Sequence, residues 1–158
     1  MDGTGGGIRL NNPASMVISG DDTLVYVAEK NAHKIRAISL LTGVSSTVCG
    51  STSSIAGDQD GVGNDGRLRY PHGLAITPDG AALIITEAGG NRIRFFDLES
   101  RILSTLAGAL DSSAGLQDGH GAGALFAGPA GVDVTPDGKV ILVADSNNNH
   151  LRRLTLSV

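Results

Sequence analysis

The chain has 158 residues, 41% of them hydrophobic, with a formal net charge of −4 and a single cysteine, Cys49. This is enough material for one packed domain, while the lone cysteine excludes an intramolecular disulfide and the negative charge gives no electrostatic reason to expect a nucleic acid partner. No apolar run approaches the roughly 20 residues of a membrane helix, and the first residues lack signal-peptide features, so we expect a cytoplasmic protein without membrane contact, or a fragment that has lost its targeting segment.

A repeat with a period of 58 residues organises the chain. Shifting the sequence by that period places Pro13 on Pro71 and Pro129, and Asp60 on Asp118. A fixed period of this size is typical of repeat architectures. We therefore read residues 1–158 as a single domain built from three copies, at residues 2–59, 60–117 and 118–158.

The second copy shows the predicted elements most clearly. A strand, GLAIT, follows Pro71 and ends at the turn TPDG, in which proline, aspartate and glycine each suit their turn position. The aliphatic run ALIITE predicts a strand buried on both faces, and the alternating RIRFFD predicts a half-buried third strand.

The fourth segment of each copy is ambiguous. In the second copy, ESRILSTLAGAL fits either a short helix or a strand. The first copy reads VSSTVCG at the same place, and its β-branched residues favour a strand. We predict a strand in both copies.

Long connections, such as residues 51–70, carry the chain from the outer strand of one unit to the inner strand of the next. The third copy ends at Val158, after its third strand. The predicted fold is therefore all-β: a β-propeller segment of three four-stranded antiparallel blades, the last lacking its outer strand.

The string DGVGNDGRLRYPHGLAITPDGAALIITEAGGNRIRFFDLESRILSTLAG resembles the NHL repeat through DG-x-G, Pro-x-Gly, PDG, N-x-I-R and the final A-G. The third copy matches equally well. The first departs at Ser15, at residues 20–22 and at His33. The resemblance implies a propeller, commonly six-bladed, that serves protein interaction more often than catalysis.

Three blades are too few for a closed ring, because propellers have about 4 to 8 blades. An open arc would expose apolar blade faces. We expect a fragment of a longer chain, with a homodimer that completes a six-bladed ring as the alternative.

Strand geometry places the candidate site. The start of each first strand lies beside the end of the second strand, so both ends share one face, which we expect to open onto the central channel. The expected binding residues on this rim are Tyr70, His72, Glu29, Glu87, Asp145, His33, Asn91 and Asn149. The carboxylates recur in every copy, as do Arg36, Arg94 and Arg152, which favours structural ion pairs because function seldom needs the same residue in each blade.

His72 differs because its equivalents are Ala14 and Ala130. Its P-H-G string resembles the zinc-binding positions of amidating lyase relatives of the family. Zinc needs three or four ligands and only this position matches, so an exposed rim histidine is favoured. The string DQDGVGNDG suggests a calcium loop, but Val62 stands at a ligand position. We expect no cofactor, with zinc or calcium as open alternatives.

The expected function is a non-catalytic scaffold that binds a protein or another ligand, its partner unspecified by the sequence. The alternative is a metal-dependent lyase or hydrolase of the propeller type, with its site at the channel mouth near His72. RNA binding ranks last, because basic residues cluster only on the third strands and the net charge is negative.

Overall fold

The structure, a computed structural model, describes residues 3–4 and 7–156. Asp2, which opens the first copy, and Val158, which ends the third, lie outside the described residues. Thirteen strands run in the order β1 (Gly3–Thr4), β2 (Pro13–Ile18), β3 (Leu24–Glu29), β4 (Lys34–Ser39), β5 (Val44–Gly50), β6 (Gly61–Val62), β7 (Pro71–Ile76), β8 (Ala82–Glu87), β9 (Arg92–Asp97), β10 (Ile102–Ala107), β11 (Pro129–Val134), β12 (Val140–Asp145) and β13 (His150–Thr155).

The strands form three antiparallel sheets, one for each copy of the repeat. Blade one has the order β1-β5-β4-β3-β2, blade two β6-β10-β9-β8-β7, and blade three β11-β12-β13. The predicted all-β class of antiparallel blades is confirmed, and the fourth segments of the first two copies are strands, not helices. Within the described residues, no helix has the length and apolar character needed to cross a membrane.

Two short strands were not predicted. β1 and β6 each pair with the outer side of the fourth strand of their own blade, as shown by Leu103 opposite Gly61. β6 belongs to the long connection before blade two. Part of that connection therefore returns along the blade that it is about to enter and covers the edge of its fourth strand.

Two apolar cores hold the blades together. The inner strands β2, β7 and β11 lie side by side. All six residues of β8 are buried, since Leu83 and Ile85 face blade one and Ile84 faces blade three. This explains why the sequence of β8 is aliphatic at successive positions rather than alternating.

The single cysteine lies in the first of these cores. Cys49, on β5, is fully buried, and burial raises the pKa of its thiol to about 12. The thiol is therefore protonated at neutral pH and fills space between blades one and two like a small apolar side chain.

Candidate functional site

The repeated carboxylates close the rim end of each blade. Pro13 is opposite Glu29, Pro71 opposite Glu87, and Pro129 opposite Asp145, so the predicted common face is present. The three carboxylates are 1%, 0% and 0% exposed. Each accepts a backbone N–H from the residue two positions before the proline at 2.7 Å, from Asn11, Arg69 and Ala127 respectively.

Each carboxylate also forms a buried ion pair with the arginine of the third strand. The nitrogen–oxygen distances are 3.3 Å for Arg36 and Glu29, 3.2 Å for Arg94 and Glu87, and 3.0 Å for Arg152 and Asp145. The ion pairs expected from the recurrence of these positions are therefore present. They tie the second and third strands to the entry of the first strand.

Sequence reasoning missed the aspartate at the other end of each arginine. Arg94 donates to Asp60 at 2.6 Å and Arg152 donates to Asp118 at 2.7 Å. The signal was available in the sequence, since the D-G pair stands 34 positions before the arginine in both copies. The aspartate of the D-G motif thus anchors the connection to the blade.

Blade two carries a further anionic group in this network. Asp58 binds Arg69 at 2.7 Å and Arg92 at 2.6 Å, and the hydrogen bond from Arg69 is the largest of the effects that hold the pKa of Asp58 below its usual range. Both carboxylate oxygens of Asp58 therefore face guanidinium groups. Asp58 was the first residue of the calcium loop considered from the sequence.

The polar turns after the second strands link neighbouring blades. His33 and Asn91 both have left-handed backbones, with φ of 55° and 51°. His33 Nδ1 accepts the N–H of Tyr70 at 3.1 Å, and Asn91 Oδ1 accepts the N–H of Gly128 at 2.9 Å. Asn149, their counterpart in blade three, has φ of 57°, and its side chain makes no hydrogen bond to the residues that the structure describes.

Tyr70 is the large aromatic residue of the rim. Its ring meets that of His33 edge-on, with centroids 4.5 Å apart and planes at 82°. It also lies over Gly89, where an added Cβ would be 2.5 Å from Tyr70 Cδ2. The side chain is held on two sides and is still 41% exposed.

His72 is half-buried at the second position of β7. Burial, with a smaller contribution from the charge of Lys30, lowers the pKa of its imidazole. In the part of the chain that the structure describes, no three or more His, Cys, Asp or Glu side chains are grouped so that they could hold a metal ion. Zinc binding by His72 stays a prediction.

The contact between His33 and Tyr70 predicts a pH-dependent stability. Burial, followed by the charge of Arg69, lowers the pKa of His33 below its ordinary value of 6.5, and only the neutral imidazole can accept at Nδ1. The stability from this contact is therefore complete above about pH 6.5 and is lost as the pH falls toward the folded-state pKa. We expect His33→Asn, which introduces the residue found at position 91, to show a smaller loss of unfolding free energy between about pH 7 and pH 5.

Urea unfolding at several pH values measures this difference. His120→Asn is the matched control, because His120 is an exposed loop residue without a hydrogen bond to the described residues. Its pH profile should follow that of the unchanged chain. Parallel profiles for His33→Asn and the unchanged chain would contradict the role given to His33.

Comparison with known sequences identifies the repeat. The family model of the NHL repeat matches residues 126–154. The chain is 32% identical over 151 residues to "Protein SUPPRESSOR OF QUENCHING 1, chloroplastic" of Arabidopsis thaliana, covering 92% of this chain and 14% of that protein. It is 24% identical over 151 residues to "NHL repeat-containing protein 2" of Homo sapiens, covering 91% of this chain and 21% of that protein. The chain thus spans about a fifth or less of the length of these relatives.

Solved structures share the fold. A structural genomics protein from Bacteroides thetaiotaomicron aligns with a TM-score of 0.80 at 23% identity, over 90% of this chain and 34% of that chain. An auxiliary nutrient binding protein from the same organism aligns with a TM-score of 0.75 at 19% identity, over 87% of this chain and 36% of that chain. At these identities the likeness shows the architecture alone.

Proposed function

Since this chain carries an NHL repeat at residues 126–154 in an all-β fold of propeller-like blades, we propose that it is a non-catalytic scaffold that binds a protein or another ligand at its rim. The observation that carries this proposal is the contrast between the rim groups. The repeated carboxylates are buried in ion pairs, whereas Tyr70 is held in place and remains exposed.

A rigid, exposed tyrosine is well suited to binding. Aromatic side chains are enriched among the residues that contribute most to protein interfaces, because they bury a large area and carry a polar group. Tyr70 is held by His33 and Gly89 before any partner arrives, so little side-chain entropy is lost on binding. The lowered pKa of His72 keeps its imidazole neutral at pH 7, able both to donate and to accept a hydrogen bond.

The burial of the carboxylates supports binding over acid–base chemistry. A general acid or base must lie within hydrogen-bond reach of the substrate. Glu29, Glu87 and Asp145 are at most 1% exposed and already accept hydrogen bonds from backbone and arginine. On this basis we assign them to the framework of the rim and assign ligand contact to Tyr70 and His72.

The test compares what the immobilised chain and a rim variant retain. Tyr70→Asn together with His72→Ala removes both groups, and asparagine tolerates the left-handed backbone of position 70, whose φ is 50°. We expect the affinity for the retained ligand to fall about tenfold or more, as for a central interface residue. Asp137→Asn, at an exposed turn between the first and second strands of blade three, is the control and should leave retention unchanged.

Equal retention by the chain and the rim variant would contradict the proposal. Stoichiometric zinc that is lost with His72→Ala would favour the metal-dependent enzyme instead. Circular dichroism of each variant shows whether the fold is intact.

A further inference from the structure

Blade three contains an open slot where blades one and two hold their fourth strand. In blade two, β10 lies between β9 and β6. In blade three the counterparts of both neighbours are present, namely β13 and residues 118–121. A cavity of about 550 Å³ separates them, with Ala124 and Phe126 among the residues that line it. We refer to this cavity as the strand slot.

The strand slot presents hydrogen-bonding groups that correspond to those which hold β10. In blade two, Asp60 accepts the N–H of Thr105 at 3.1 Å and its hydroxyl at 3.0 Å, and Arg94 Nε donates to the carbonyl of Ser104 at 3.4 Å. These contacts fasten the fourth strand at two successive residues.

Asp118 and Arg152 stand at the same positions of blade three and are joined to each other at 2.7 Å. Asp118 Oδ2 and Arg152 Nε make no hydrogen bonds to described residues. The side chain of Asp118 is 97% exposed, against 52% for Asp60. An acceptor and a donor thus point to a strand that the third sheet does not contain among the described residues.

The walls of the slot are formed without an occupant. Gln117 and Leu125 exchange backbone hydrogen bonds of 3.5 and 2.9 Å, and Arg152 donates to the carbonyls of both residues. β13 pairs with β12 along its whole length and leaves its other edge open. A strand that enters the slot would therefore meet a preorganised site, which lowers the entropic cost of binding.

The two filled slots indicate which sequence fits. β5 and β10 share Ser-Thr, then an apolar residue, a small residue and a glycine with positive φ, Gly50 at 95° and Gly108 at 108°. Leu103 of β10 packs against Gly66, where an added Cβ would lie 2.9 Å from Leu103 Cδ2. Blade three has Ala124 at that place. The position of Leu103 therefore requires a smaller side chain in blade three, such as Ser45 supplies in β5.

We infer that the strand slot binds an extended segment of a partner protein, which adds as an antiparallel strand to β13 with the pattern apolar–small–Ser–Thr–apolar–small–Gly. The Thr N–H and hydroxyl bind Asp118, and the carbonyl of the preceding Ser accepts from Arg152. This surface is separate from the rim of Tyr70 and His72, and the inference does not depend on the proposed function.

The test uses a labelled peptide with blocked ends that copies residues 43–50 of this chain with Cys49→Ala. Fluorescence anisotropy with the 158-residue chain should show saturable binding of one peptide per chain. Asp118→Ala should weaken that binding about tenfold or more, because the lost hydrogen bonds have a charged acceptor. Thr47→Pro in the peptide removes the N–H that Asp118 accepts and should abolish binding without altering the protein.

Two controls make the outcome specific. Asp137→Ala removes an exposed aspartate outside the slot and should leave peptide binding unchanged. Tyr70→Asn with His72→Ala should also bind the peptide normally, which separates this result from the test of the rim. The inference is overturned if the monomeric chain shows no saturable binding, or if Asp118→Ala and Thr47→Pro leave it unchanged. A dimer in light scattering that does not take up the peptide would also overturn it, because a second copy would then occupy the slot.

Discussion

Replacing Arg94 with methionine is expected to destabilise the chain by about 3–5 kcal/mol, the usual cost of removing one partner from a buried ion pair. Arg94 is 0% exposed and binds Glu87, Asp60 and the carbonyls of Gln59 and Arg67. Methionine fills part of the volume but donates no hydrogen bond. The variant leaves two carbonyls without this donor and deprives the buried Glu87 of one of its two arginines.

Urea unfolding measures the loss, and Arg152→Met is the matched control. Arg152 makes the equivalent contacts in blade three, but its partner Asp118 is 97% exposed and the strand slot admits water beside it. We expect a smaller loss for Arg152→Met, since water can replace the exposed half of its contacts. A loss below about 1 kcal/mol for Arg94→Met, the range of a surface ion pair, would show that the network contributes little to stability.

The blades could be predicted because their signals are local and repeated. The turn TPDG, the aliphatic run ALIITE and the alternating RIRFFD each specify an element within a few residues. The fourth strand could not be decided from β10 alone, since its sequence also fits a helix. Comparison with β5, which aligns with it, gave the correct answer, because both segments must fill the same place in a blade.

The contacts between copies could not be predicted, because they join residues that are distant in sequence. β6 has only two residues, and its pairing with β10 spans more than forty positions. The hydrogen bond from Tyr70 to His33 spans 37 positions, as does the bond from Gly128 to Asn91. Neither periodicity nor turn chemistry records such pairs.

His33 shows how a departure from the repeat can preserve a contact. In the sequence it breaks the NHL pattern, which has asparagine at this position in the other two copies. In the structure its Nδ1 accepts the same backbone N–H that Asn91 Oδ1 accepts one blade later. The two residues also share the left-handed backbone. The substitution keeps the link between blades and adds a dependence on pH.

The second large effect is expected at Gly73, where blades two and three approach most closely. A Cβ on this residue would lie 2.1 Å from the carbonyl oxygen of Ala130 and 2.9 Å from Thr86 Oγ1. Thr86 accepts the N–H of Gly73 at 2.7 Å and donates its hydroxyl to Ala130 at 2.6 Å. We expect Gly73→Ala to cost about 3–5 kcal/mol, from about 1–3 for overpacking and about 1 for each of the two hydrogen bonds.

Gly131→Ala tests whether the neighbouring blade causes this effect. Gly131 holds the equivalent position in blade three, and an added Cβ there would be 3.6 Å from Ala144 Cβ, an ordinary contact. Its φ is not positive, so alanine should be neutral or should stabilise the chain by about 0.4–1 kcal/mol by restricting the unfolded state. Thermal and urea unfolding of both variants gives the comparison. Equal losses at the two positions would mean that glycine is required by the strand itself, whereas a loss only at Gly73 would show that the close approach of Ala130 requires it.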